Sequence, residues 1–127
     1  MTTEKINTDE APMAVGPYSQ AIVAGNLVFT AGEIPVDPQS GEIPESINDQ
    51  VELAMTNLLA VLNAAGVANN RVTSVTVYLT DIGDFSAMNL VYAKYFEEPF
   101  PARSCVEVSA LPKGVKIMVS AIGTKDQ

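Results

Sequence analysis

Apolar and polar positions alternate along several short segments, a pattern that predicts β-strands. Gln20–Ala24 and Leu27–Ala31 are apolar segments joined by Gly25-Asn26, a pair typical of a two-residue hairpin loop. Val72–Thr80 is rich in β-forming residues and alternates Val75, Val77 and Leu79 with Thr76, Tyr78 and Thr80, which is the period of a strand with one buried face. Two further strands are predicted around a turn at Pro112-Lys113-Gly114, namely Arg103–Ser109 and Val115–Gly123.

Two other segments have the three- and four-residue apolar spacing of helices. Ser46, followed three residues later by Asp49, predicts the start of the first helix, and Gly66 predicts its stop. The second helix is predicted from Phe85 to about Phe96, with Asp84 as its N-terminal cap. The apolar positions of the first helix are Ile47, Val51, Ala54, Leu58, Val61 and Ala65.

The resulting order is ββαβαββ, with both helices expected on one face of a mixed sheet. A chain of 127 residues is the usual length of one domain, so residues 1–127 are predicted to form a single α+β unit. A unit of this size buries roughly two thirds of its unfolded surface, which is enough for a core without disulfides.

The net charge, the length of the apolar runs and the cysteine count indicate which partners and which cellular compartment to expect. The net charge is −8, so the acidic surface disfavours nucleic acid and anionic membranes as partners. Residues 1–12 lack the layout of a signal peptide, and apolar runs end after about five residues, far short of a bilayer span. With a single cysteine, the sequence predicts a soluble, cytoplasmic protein.

The absence of certain residue types and motifs excludes several catalytic and metal-binding schemes. The chain has no histidine, which excludes Ser-His-Asp and Cys-His nucleophilic schemes and histidine-ligated zinc. One cysteine cannot form a cysteine-rich zinc site, and no phosphate-binding glycine loop occurs. No metal or cofactor is predicted, which leaves chemistry by arginine, carboxylates, tyrosine, asparagine, cysteine and the backbone.

The most informative position is Arg103, a basic residue within an otherwise apolar predicted strand. A guanidinium that is half-buried needs a partner anion, which is either a structural carboxylate such as Glu107 or the carboxylate of a ligand. Strand alternation places Arg103, Cys105 and Glu107 on one face unless a bulge intervenes.

Several short motifs follow one another along the chain. They are Gly16-Pro17-Tyr18-Ser19-Gln20, Ala31-Gly32-Glu33-Ile34-Pro35, Asn89-x-x-Tyr92, Pro101-Ala102-Arg103-Ser104-Cys105-Val106-Glu107-Val108, Leu111-Pro112-Lys113 and Val115-Lys116-Ile117. In this order they resemble the Rid family (reactive intermediate deaminases, also called the YjgF family), and the resemblance runs from about Ala11 to Gly123.

The resemblance implies a chorismate-mutase-like α+β fold and a homotrimer with ligand sites between adjacent subunits. It implies hydrolysis, without a cofactor, of 2-imino acids released by pyridoxal-phosphate dehydratases, giving 2-keto acids and ammonia. It also implies roles for individual residues. Arg103 would bind the substrate carboxylate, and Tyr18 and Cys105 would complete the catalytic set. Asn89, Gly32 and Cys105 would contact the substrate.

One departure from the family pattern concerns water activation. The imine-hydrolysing branch has a glutamate directly after Val-Lys-Ile, where this chain has Met118, which would line the same cleft. A thioether is neither an acid nor a base. Three outcomes remain open: Glu33 or Glu107 positions the water, turnover is slower, or the protein only binds small carboxylates. A ribonuclease or translation inhibitor is a further alternative, which the charge of −8 disfavours.

Overall fold

The computed structural model describes residues 3–125, in which a six-stranded sheet carries two helices on one face. The predicted α+β class, with a mixed sheet and two helices on one side, is confirmed. The strands are β1 Thr3–Ile6, β2 Ala21–Ala24, β3 Leu27–Thr30, β4 Val72–Leu79, β5 Ala102–Glu107 and β6 Ile117–Thr124, and the helices are α1 Ile47–Ala64 and α2 Phe85–Tyr92.

The strand order across the sheet is β1-β2-β3-β6-β4-β5. All neighbouring pairs are antiparallel except β4 and β5, which are parallel and are connected through α2. A parallel pair requires such a crossover because its strands run in the same direction. Strands β5 and β6 follow one another in the chain, but β4 lies between them in the sheet. This arrangement makes β5 an edge strand beside α2.

The predicted element order was wrong at the N-terminus, where it omitted β1. Thr3–Ile6 pairs antiparallel with Ala21–Ala24, so the observed order is βββαβαββ. Three of its four side chains are exposed because β1 is an edge strand. A strand that buries no face lacks the apolar alternation that reveals strands in a sequence.

The start and stop of α1 were predicted at the right residues. The Ser46 hydroxyl accepts a hydrogen bond of 3.1 Å from the Asp49 backbone N–H, which is the predicted N-cap. The helix ends at Ala64, and Gly66 adopts φ +90°, a left-handed conformation that glycine tolerates best.

The second helix differs from its prediction at both ends. The Asp84 side chain forms no capping bond; instead Asp81 accepts one from Gly83 N–H in a 3₁₀ turn that precedes α2. The helix ends at Tyr92 rather than near Phe96. Beyond it the backbone bonds tighten to the three-residue type, as in the 3.0 Å bond from Tyr95 N–H to the Tyr92 carbonyl.

The hydrophobic core lies between the helices and the sheet, and the opposite face of the sheet is not covered by either helix. Leu27 and Phe29 are each 41% exposed on that uncovered face, as is Val106 at 43%. No helix within residues 3–125 is both long and apolar enough to cross a bilayer. The largest fully buried core side chains are Met55, Leu58, Leu62, Leu79, Met88 and Ile117.

Candidate carboxylate-binding site

The register of β4 and β5 determines which face of the sheet carries Arg103. Directly paired residues project to the same face, and β4 buries Val75, Val77 and Leu79 against the helices. The pairing of β4 with β5 runs in unbroken register from Ser74–Ala102 to Leu79–Glu107. Strand β5 therefore directs three polar residues to the helix side, through the pairs Val75–Arg103, Val77–Cys105 and Leu79–Glu107.

Arg103 is half-buried, and its guanidinium contacts two aromatic rings of α2. The guanidinium carbon lies 4.8 Å from the ring centroid of Tyr92 and 5.5 Å from that of Phe85. No carboxylate among residues 3–125 lies within ion-pair distance of Arg103. Glu107 instead accepts a hydrogen bond of 2.8 Å from the backbone N–H of Ile82. The structural ion pair with Glu107, one of the two alternatives for Arg103, is thus not formed.

The guanidinium opens onto a cleft of about 410 Å³ between α2 and β5. Its polar groups are Arg103 and the partly buried Asn89, and the remaining wall is largely apolar. A small apolar cleft with a single cation suits a small carboxylate that carries a short side chain. The lining residues are Asn89, Tyr92, Ala93, Phe100, Pro101 and Arg103.

The thiol of Cys105 and the hydroxyl of Tyr92 are held in their protonated forms near neutral pH. Burial raises the pKa of the Cys105 thiol, and the nearby Arg103 charge lowers it only in part. Burial likewise raises the pKa of Tyr92 against the opposing effect of Arg103. Because the thiolate is the nucleophilic form of cysteine, this environment suits a lining residue better than a nucleophile.

Met118 and Gly32 lie together on the uncovered face, opposite to Arg103. Met118 pairs with Tyr78, whose side chain alternates with the buried residues of β4. A Cβ atom added to Gly32 would lie 2.5 Å from the Met118 sulfur, so this thioether occupies the space beside the glycine. The two sets of predicted site residues are therefore separated by the sheet within one chain.

Tyr18 lies in the loop before β2 and is 52% exposed. Its backbone N–H donates to the Gly16 carbonyl at 2.9 Å, and its ring lies near the Gly16 backbone. The cleft beside Arg103 is not lined by Tyr18. The structure therefore brings Arg103, Asn89 and Cys105 to the helix side of the sheet and leaves Tyr18 outside that group.

Glu33 is a buried carboxyl group at the strand that carries Met118. Its backbone forms an isolated bridge with Val119, with N–H to O distances of 2.7 and 3.0 Å. Because Val119 faces the helices, the Glu33 side chain projects to that side as well. Burial raises the pKa of Glu33 to about 8, so the carboxyl group is largely protonated at pH 7.

A larger groove, which runs along α1, suits a carboxylate less well than the cleft beside Arg103. This groove of about 820 Å³ has no cationic side chain in its lining, which includes Glu10 and Asp37. Its negative charges would repel an anion. No cluster of three or more His, Cys, Asp or Glu side chains placed to hold a metal ion occurs in the part of the chain that the structure describes.

Comparison with known proteins places this chain in a family. A family model described as Endoribonuclease L-PSP matches residues 8–125. A RutC family protein of Pyrococcus horikoshii is 54% identical over 124 residues, which covers 97% of this chain and 98% of that protein. The crystal structure of the YjgF gene product of E. coli superposes with a TM-score of 0.92 at 40% identity, covering 97% and 99% of the two chains. The chain belongs to the Rid/YjgF family.

Another member of the Rid/YjgF family is known both by name and by structure. The E. coli protein named "Putative reactive intermediate deaminase TdcF" is 45% identical over 123 residues, covering 94% of this chain and 95% of TdcF. A crystal structure of TdcF with bound serine superposes with a TM-score of 0.92 at 44% identity, covering 97% and 99% of the two chains.

Within this Rid/YjgF chain, sequence analysis missed the two aromatic neighbours of Arg103. Phe85, Asn89 and Tyr92 are spaced four and three residues apart, which places them on one face of a helix. That spacing was available in the sequence. The sequence did not show that β5 pairs in parallel with β4, which places β5 beside this face of α2.

Proposed function

We propose that this Rid/YjgF protein hydrolyses small 2-imino acids to 2-keto acids and ammonia, with Arg103 binding the substrate carboxylate. The observation that carries the proposal is a guanidinium that faces a small cleft without a carboxylate partner among residues 3–125. A planar guanidinium binds a carboxylate through two parallel hydrogen bonds, which fixes its orientation. The TdcF name, and the amino acid bound in the TdcF structure, support a ligand of this class.

The reaction needs a positioned water and a proton rather than a covalent intermediate. Water adds to the imine carbon, the nitrogen takes up a proton, and ammonia leaves as the C=O bond forms, so one water molecule is consumed. General acid–base assistance is typically worth about 10²–10⁴-fold. In this scheme Asn89 orients the ligand, Cys105 stays a thiol on the same face of β5 as Arg103, and the Tyr18 hydroxyl holds the water.

We further propose that the protein is a homotrimer whose site forms between subunits. Arg103 and Cys105 lie on one face of the sheet, whereas Gly32 and Met118 lie on the other. One chain alone cannot bring both sets to a single ligand, but a neighbouring chain packed on the uncovered face could. The half-exposed Leu27 and Phe29 on that face support such packing.

A second candidate is a protein that binds small carboxylates without turnover, and Met118 favours it. A thioether cannot replace a water-activating carboxylate. The two carboxyl groups considered as substitutes are poorly placed. The Glu107 carboxylate accepts a hydrogen bond from the Ile82 N–H, and Glu33 is buried, does not line the cleft beside Arg103 and is largely protonated at pH 7. No comparable observation favours ribonuclease activity, since a chain of net charge −8 repels a phosphate backbone.

The deciding experiment measures imine hydrolysis directly. Threonine dehydratase generates 2-iminobutanoate in the presence of semicarbazide, and a deaminase lowers the semicarbazone signal by competing for the imine. We expect wild type to lower this signal and Arg103→Ala to lose the effect. No effect of wild type, together with activity gained in Met118→Glu, would reject hydrolysis by the natural chain and support the binding protein.

A further inference from the structure

The guanidinium of Arg103 has a support that differs from the usual carboxylate partner. It lies over the rings of Tyr92 and Phe85, at 4.8 and 5.5 Å from their centroids. Both distances are within the range of about 6 Å in which a cation is attracted to a ring face. We propose that Tyr92 and Phe85 are positioning residues, an aromatic support that orients the Arg103 guanidinium toward the ligand carboxylate.

An aromatic support differs from an ion pair in what it leaves for the ligand. A structural carboxylate would orient the guanidinium but would also offset its charge and occupy its donors. A ring face orients the cation through its quadrupole, so the net charge and the N–H groups remain available to an incoming carboxylate. In a chain of net charge −8, an uncompensated cation is needed to attract an anionic ligand.

Tyr92 is itself held rigidly, which is what a support requires. Its side chain is 6% exposed, and its ring packs against Phe96 with centroids 5.2 Å apart. The Tyr92 hydroxyl is buried, so it is the ring rather than the oxygen that meets the cleft. Phe85 is 37% exposed and lies farther from the guanidinium, so we expect its contribution to be smaller.

This inference rests on the proposed role of Arg103, and the first experiment separates it from catalysis by measuring binding. The probe is 2-oxobutanoate, titrated calorimetrically into the full-length protein. Tyr92→Leu is expected to raise Kd by about 3- to 30-fold and Phe85→Leu by about 2- to 5-fold. Tyr92→Phe, which keeps the ring, is expected to retain the wild-type Kd. Phe96→Leu is the matched control, since it removes a buried aromatic ring that contacts Tyr92 but not Arg103.

A second measurement tests the support without any ligand. The chain has two arginines, Arg71 and Arg103, so the side-chain Nε–H signal of Arg103 is assigned by its loss in Arg103→Ala. Ring currents should shift this proton upfield in wild type and in Tyr92→Phe, and the shift should collapse in Tyr92→Leu.

The outcomes are distinct. An unchanged Kd or an unchanged Arg103 signal in Tyr92→Leu would overturn the inference, and so would an equal loss of affinity in Phe96→Leu. Failure of wild type to bind 2-oxobutanoate would also overturn it. Failure of imine hydrolysis with binding intact would reject only the proposed reaction, because the ring effect on Kd would still be observed.

Discussion

At the residue scale, two ionisable groups on the helix side of the sheet, Arg103 and Glu33, differ in how their surroundings treat the charge. Arg103 is half-buried, and its guanidinium contacts two ring faces and the cleft. Glu33 is 5% exposed and has no side-chain hydrogen bond within residues 3–125, so burial favours its neutral form. The Arg103 guanidinium is therefore available to bind an anion, whereas burial favours the uncharged form of the Glu33 carboxyl group.

The burial of Glu33 makes stability depend on pH in a predictable direction. Its pKa is about 8 in the folded protein against 4.5 for the free group, so between these values the folded state holds a proton that the unfolded state has lost. The free energy of unfolding therefore falls as pH rises through this window, by up to ~5 kcal/mol. Below pH 4.5 the group has no effect, and above pH 8 the loss is complete.

Replacing Glu33 with glutamine should remove this dependence, because the amide does not ionise. We expect Glu33→Gln to match wild type near pH 4 and to exceed it increasingly toward pH 8, as measured by urea denaturation at several pH values. The exposed Glu42→Gln is the control and should follow wild type throughout. Parallel curves for Glu33→Gln and wild type would show that Glu33 ionises normally in the folded protein.

At the element scale, one side chain joins the start of α1 to the start of β6. Gln50 is 3% exposed; its amide donates to the Pro44 carbonyl at 2.8 Å and its oxygen accepts from Lys116 N–H at 2.8 Å. Lys116 is two residues before Met118, so this bridge fixes the strand that carries the departure from the family pattern.

Loss of the Gln50 bridge should lower the free energy of unfolding more than loss of the Ser46 helix cap. Gln50→Ala leaves two backbone groups without partners and opens a small cavity, so we expect a loss of about 2–4 kcal/mol in the free energy of unfolding. Ser46→Ala removes only the exposed cap bond and should cost about 1 kcal/mol. Urea denaturation compares the two, and equal losses would show that the bridge adds little.

Elements with strong local patterns were predictable from the sequence, and those set by tertiary context were not. Ser46 and Gly66 mark α1 because capping and a left-handed turn depend on neighbouring residues alone. Strand β1 left no pattern because it buries no face. The end of α2 was placed too late because the apolar spacing continues to Phe96, which is buried in the core although it lies beyond the helix.

At the scale of the whole molecule, the arrangement of the candidate site also depends on tertiary context that the sequence does not show. The motifs indicated which residues matter, and alternation placed Arg103, Cys105 and Glu107 on one face, as observed. No local pattern relates that face to Met118, because the relation depends on β4 lying between β5 and β6. The separation of Arg103 from Gly32 and Met118 therefore emerged only from the strand order, and it makes assembly the central question for function.

If the site is shared between subunits, two defective variants should restore it when mixed. Arg103→Ala lacks the carboxylate anchor, and Gly32→Leu fills the space beside Met118 on the opposite face. Each alone should fail to bind 2-oxobutanoate while keeping three times the 13.5 kDa mass of one chain by light scattering. In a co-refolded equal mixture, random assembly makes roughly a quarter of the interfaces combine an intact Arg103 with an intact Gly32.

The stoichiometry of the mixture distinguishes a shared site from a site within one chain. Calorimetric titration should recover roughly a quarter of the wild-type stoichiometry after co-refolding and none when the two proteins are combined without exchange of subunits. Co-refolding wild type with Arg103→Ala is the matched control and should give roughly half. A mixture of the two variants that stays inert, while the control gives half, would place Arg103 and Gly32 of the same chain at one site. In that case the ligand would have to reach around the sheet edge, and the proposed site between subunits would be wrong.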